Sequence, residues 1–155
     1  MTQTADKSDS ETHELTIRRV FEAPRDLVFQ MWADTKHMKN WFGPTGMTVV
    51  DAGTDFRVGG EWFSHLRAEN GGEHRMGGTY KEIVAPERIV FTHMWEGTDA
   101  HSGFETVVTV TLKDLGGKTE LVFHQAAFET ASARDSHQDG WNKCLDRLAV
   151  ALADL

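Results

Sequence analysis

Among the side chains able to do chemistry, His93 stands out, because an imidazole titrates near neutral pH and a neighbouring carboxylate such as Glu61 would tune it as a base. In that role Glu61 or Tyr80 would be its partner. The bland alternative is a structural histidine bonded to Tyr80 or Thr106. The chain has eight histidines, but none forms an H-x-x-x-H pair or an H-E-x-x-H motif. With a single cysteine, Cys144, no thiolate metal cluster or intrachain disulfide can form. No metal and no cofactor is therefore expected. No Ser/His/Asp or Cys/His spacing supports nucleophilic catalysis, and the Gly-Gly pairs lack the strand-to-helix setting of a phosphate loop. They read as turns.

Whether His93 has polar company depends on strand register, and the turns predict one. A two-residue hairpin at Leu115-Gly116 sets Val110 opposite Leu121, Val108 opposite Phe123 and Thr106 opposite Gln125. A tight turn at Pro86-Glu87 sets Val84 opposite Ile89, Glu82 opposite Phe91 and Tyr80 opposite His93. The Asn70-Gly71 hairpin sets Glu61 opposite Tyr80 and Phe63 opposite Gly78, with His65 inside facing Met76 and His74 facing Arg67. Across the Gly97–Gly103 loop, Ile89 meets Val110, Phe91 meets Val108 and His93 meets Thr106. The expected inner face then carries apolar rows of Ile89, Val110 and Leu121 and of Phe91, Val108 and Phe123. They are crossed by one polar row: Glu61, Tyr80, His93, Thr106 and Gln125. Such a row is either a self-satisfied network or the polar end of a binding site. Trp95 and Phe104 would wall the mouth, and His137 would approach from a helix.

The elements that must hold these residues follow from periodicity. Residues 1–13 are polar and aperiodic and read as a disordered tail; 14–155 read as one domain. A strand over ELTIRRVFE precedes two short helices, the first opened by Pro24 and the second ended by Gly43-Pro44. From Met47 to Phe128, turn residues divide six strand-like runs. A long helix follows from Ala131, with Trp141, Leu145, Leu148, Leu152 and Leu155 forming its apolar stripe. One long helix and one sheet must bury their apolar faces on each other. The fold class is thus α+β, a curved antiparallel sheet of about seven strands wrapped around the C-terminal helix, with a cavity where the two diverge. Gly140 inside the helix suggests close backbone approach or a kink.

RVFEAPRDLVFQMWAD, KNWFGP, GGTYKEIVAPERIVFTHMW and HQDGWNKCLDRL, in that order, resemble the START-like (SRPBCC) superfamily. Within it they resemble the family named after the activator of the heat-shock-protein-90 ATPase, in its bacterial single-domain form. The resemblance implies the helix-grip fold. Relatives in the superfamily carry lipids, bind hormones, cyclise polyketides, sequester reactive compounds or stimulate a chaperone, so it implies no single function.

Composition narrows the partners. A formal charge of −8 opposes binding to nucleic acid or an anionic membrane surface. No apolar run is long enough to span a bilayer, and the N-terminus lacks a secretory core, so a cytoplasmic protein is expected. The leading expectation is a non-enzymatic binder of a small, largely apolar molecule bearing one polar group. Its ligand-binding residues would be Glu61, Tyr80, Phe91, His93, Trp95, Phe104, Thr106, Val108, Phe123, Gln125, His137 and Trp141. The first alternative is a cyclase or hydrolase with His93 as general base. The second is a protein-interaction module, as chaperone cofactor or homodimer, using outer-face Val90, Met94, Val107 and Val122.

Overall fold

Alternating burial along β1 (His13–Phe21), with Leu15, Ile17 and Phe21 inside, begins the fold in a computed structural model that describes residues 13–96 and 104–155. The expected tail, up to residue 12, and the expected Gly97–Gly103 loop lie outside the described residues. Two short helices follow, α1 (Arg25–Ala33) and α2 (Thr35–Trp41). Pro24 caps α1, and the Asp34 carboxylate caps α2 by accepting from the Lys36 N–H at 2.8 Å. Six strands come next: β2 (Met47–Thr54), β3 (Glu61–Ala68), β4 (Glu73–Val84), β5 (Arg88–Glu96), β6 (Thr106–Asp114) and β7 (Thr119–Phe128). The chain then enters α3 (Ala131–Ala153), whose first turn is capped by the Thr130 hydroxyl accepting from the Ala133 N–H at 3.0 Å.

The strands form one seven-stranded antiparallel sheet in the order β1-β7-β6-β5-β4-β3-β2. On α3 the buried stripe is Ala133, Trp141, Cys144, Leu145 and Leu148; Leu152 is half-buried and Leu155 is exposed, so the stripe fades sooner than its spacing predicts. Between sheet and helix, α1 and α2 insert Val28, Met31, Trp32, Met38 and Trp41, all buried. The Trp32 ring lies 6.3 Å from Phe91 and 6.4 Å from Phe123, and Phe123 lies 4.5 Å from Trp141. This end of the interior is packed solid. The residual void beside Trp32, Phe42 and Phe91 is only about 10 Å³, scarcely room for a water.

Registers fall into three cases. The β5–β6 pairing is the expected one: Ile89 with Val110, Phe91 with Val108, His93 with Thr106. The β6–β7 connection has four residues rather than two, so Val110 pairs with Phe123 and Val108 with Gln125. Gly116 and Gly117, both at positive φ, supply the extra turn, and a two-residue shift leaves the inner face unchanged. The β3–β4 hairpin corrects the expectation more deeply. Arg67 pairs with Glu73 across an odd-numbered loop, so Glu61 meets Thr79, Phe63 meets Gly77, His65 meets Arg75 and His74 meets Leu66. A one-residue slip exchanges the faces of a strand. Trp62, Ser64 and Leu66 are therefore inside, and Glu61 is exposed on the outer face.

A register shift in β4 between Tyr80 and Glu82 brings Tyr80 opposite Phe91, not His93, while Glu82 moves outward opposite Val90. Beside it the β4–β5 ladder opens: the Thr79 N–H bonds the Thr92 hydroxyl at 2.9 Å, and the Trp62 indole donates to the Thr92 carbonyl at 3.1 Å. Gly78 permits this approach. A Cβ there would stand 1.8 Å from the Thr92 carbonyl oxygen.

Candidate functional site

At the other end, the first half of α3 diverges from β4 and β5. A cleft of about 600 Å³ opens there. Its sheet wall is Met76, His93 and Trp95, and its helix wall is His137, Gly140, Trp141 and Cys144. The α2–β2 loop (Pro44 to Met47) and the β3–β4 hairpin (Ala68 to Asn70) close its sides. Arg147 secures that loop by donating to the carbonyls of Gly43 at 2.9 Å and Met47 at 3.0 Å. The volume lies within the range of small-molecule sites, and the walls are mainly apolar with a few convergent polar groups.

The expected polar row separates into three parts. Trp141 donates its indole N–H to Gln125 Oε1 at 2.8 Å, Gln125 Nε2 donates to the Thr106 hydroxyl at 2.8 Å, and Thr106 donates to the His93 carbonyl at 3.3 Å. Because an indole can only donate, the Gln125 amide orientation is set and the chain of bonds runs one way. This network pins Trp141 against the sheet. Tyr80 belongs elsewhere: its hydroxyl bonds Thr54, its ring packs on Phe56, and burial lifts its pKa to about 12. Glu61, on the far side of the sheet, is not the neighbour expected for His93.

His93 itself forms the floor of the cleft, 2 % exposed. Its ring lies 5.6 Å from those of Trp95 and His137, 5.8 Å from Trp141 and 5.9 Å from Trp62. Nε2 contacts the Met76 thioether at 3.2 Å. Burial, with a smaller contribution from His137, lowers its pKa from the ordinary 6.5 to about 3. The ring is neutral throughout the physiological range, and weakly basic.

His137 joins helix to sheet. Its Nε2 lies 3.0 Å from the Trp95 indole nitrogen and its Nδ1 2.7 Å from the Ala133 carbonyl. Since the indole only donates and a carbonyl only accepts, Nδ1 carries the proton and Nε2 accepts. Phe104 is exposed, and with Thr106 it borders a crevice of about 10 Å³ behind His93.

Of the expected ligand-binding set, the structure brings His93, Trp95, His137 and Trp141 to the cleft; Phe91, Val108, Phe123 and Tyr80 sit in the filled core. Met47, Met76 and Cys144 also line the cleft and lie outside that expected set. Met76 alternates in phase with Tyr80 and was available to the sequence reading. Met47 and Cys144 are set by how the loop and helix pack, which has no periodic signal. Among the described residues, no group of three or more potential ligands could hold a metal ion. None of their helices is long and apolar enough to cross a membrane.

A curved antiparallel sheet gripping one long C-terminal helix, with a cleft at the diverging end, defines a START-like helix-grip protein. Residues 22–153 match the sequence pattern of the Activator of Hsp90 ATPase homolog 1-like proteins, and the chain belongs to that family. Among solved structures it is similar to a protein from Chromobacterium violaceum, at 28% identity and TM-score 0.77, covering 89% of this chain and 95% of that one. It is also similar to the AHSA1 protein from Silicibacter pomeroyi, at 26% identity and TM-score 0.81, covering 90% and 97%. A protein from Arthrobacter aurescens shares the fold at 22% identity and TM-score 0.79, covering 95% and 90%. No functionally curated protein matches at a significant level.

Proposed function

We propose that this protein binds a small, largely apolar molecule in the cleft between the sheet and the first half of α3. The observation that carries the reading is an open cleft between sheet and helix with Trp95, Trp141, Met76 and Met47 on its walls and the buried His93 on its floor. Trp95 and Met47 are only partly buried, and an apolar guest against them would complete their burial and contacts. The aromatic walls would hold the ligand's body, and His93 would orient its polar group.

A catalytic role for His93 is less well supported. The carboxylate that would have tuned it faces the opposite side of the sheet, and burial makes the ring a poor proton acceptor. Native mass spectrometry of the purified chain and a thermal-shift screen of lipids and aromatic metabolites test the binding reading. Ligand at a hundred times its Kd stabilises the fold by about 2.7 kcal/mol, an easily read rise in Tm. No co-purifying species and no shift across a broad library would sink the reading.

A further inference from the structure

We infer that the cleft selects a neutral molecule that presents a hydrogen-bond acceptor, such as a carbonyl or ether oxygen, to His93, and rejects the carboxylate of the same skeleton. This rests on the proposed binding site and adds to it the chemical class of the ligand.

Among the described residues, the charged ones lining the cleft are Glu69, Asp139 and Lys143. Lys143 is already paired with Asp139 at 3.1 Å, half-exposed at the rim. Arg147, behind the loop, directs Nη1 at the carbonyls of Gly43, Pro44 and Met47. The ring nitrogens of His137 are engaged by the Trp95 indole and the Ala133 carbonyl. The helix offers little to an anion, since the cleft begins at Ser136, beyond the first turn from Ala131 where the dipole is felt. Among the described residues the one Lys or Arg lining the cleft is thus already matched, and burying an unpaired carboxylate is costly.

His93 supplies the positive half of the selection. With its proton on Nε2 the neutral ring donates to Met76 Sδ, 3.2 Å away, because a thioether only accepts. Sulfur is a weak acceptor on a flexible side chain, and an oxygen reaching the floor of the cleft would replace it with a stronger bond. Burial holds the ring uncharged, which suits a neutral acceptor and gives a carboxylate no cation.

The test is a matched series on one ring system, naphthalene, 2-acetonaphthone and 2-naphthoate, titrated calorimetrically into the full chain at pH 7.5. The ketone should bind at least about tenfold more tightly than the carboxylate, and several-fold more tightly than naphthalene, through the His93 bond. His93→Phe should erase the second difference; if that variant does not fold, the comparison on the natural chain still decides. Naphthoate binding as tightly as the ketone, or binding that Lys143→Ala abolishes, would overturn the proposal. So would a ketone no better than naphthalene. Silence from all three together with an empty library screen removes the binding site itself. A screen whose hits are carboxylic acids, with their esters silent, removes only the charge rule.

Discussion

His93 lies in surroundings that exclude its protonated form, and this makes its contribution to stability a function of pH. With a folded pKa of about 3 against 6.5 for the free side chain, the unfolded chain takes up a proton at His93 that the folded chain refuses. Above pH 6.5 both states are neutral there and the group has no pH effect. Below 6.5 the unfolded state is favoured increasingly, until the folded ring also protonates near pH 3. One pKa unit corresponds to 1.36 kcal/mol, so the loss is roughly 1 kcal/mol at pH 5.5 and roughly 3 kcal/mol at pH 4.5. Other titrating groups act over the same range, and a comparison with His93→Gln removes them because both proteins carry them. Urea denaturation of both at pH 7.5, 5.5 and 4.5 gives the free energies. The stability difference, natural chain minus variant, should fall by roughly 3 kcal/mol from pH 7.5 to 4.5. A difference that stays constant, or grows on acidification, would show that His93 is reached by water or by a carboxylate, and the account of the cleft floor would fail.

Three further outcomes are expected. Gly78→Ala, whose Cβ would collide with the Thr92 carbonyl at 1.8 Å, should cost upwards of about 3 kcal/mol or prevent folding, read by thermal melting. Trp141→Phe keeps an aromatic ring but leaves Gln125 Oε1 without its donor, and should lower stability by about 1–3 kcal/mol in urea titrations. Cys144 is buried, its thiol bonded to the Trp41 carbonyl and its pKa pushed up by desolvation. It should resist a disulfide-exchange reagent at pH 8 in the folded chain and react promptly in denaturant; fast labelling of the folded chain would contradict this.

Much of the architecture was legible in the sequence because it rests on period. Alternation along β5, β6 and β7 identified Ile89, Phe91, His93, Val108, Val110, Leu121, Phe123 and Gln125 as inner residues, and all are buried. A two-residue error in the β6–β7 loop did no harm, since parity survives it. The one-residue errors at the β3–β4 hairpin and in β4 did more. They put Glu61 beside His93 in place of Trp62, because no turn signal distinguishes an odd loop from an even one, and bulges carry no signature of their own. The location of the open space was likewise hidden. Two short helices pointed to a core contribution, but only packing shows that Trp32, Trp41 and Met38 fill the end where Phe91 and Phe123 stand, leaving the void beside Trp95. Spacing reports which way a side chain points, and says little about what arrives from another element to meet it.

Gly140 joins stability to openness. A Cβ built there meets nothing within 4 Å, so neither the sheet nor a tight backbone contact requires the glycine. Yet glycine in a helix interior is about 1 kcal/mol worse than alanine. The residue sits on the helix wall of the cleft, where any side chain would stand in the vacant volume. Gly140→Ala should therefore raise the melting temperature of the empty protein while reducing the largest guest it admits. The two quantities pull in opposite directions at a single position, so the helix forgoes rigidity where the cleft needs room.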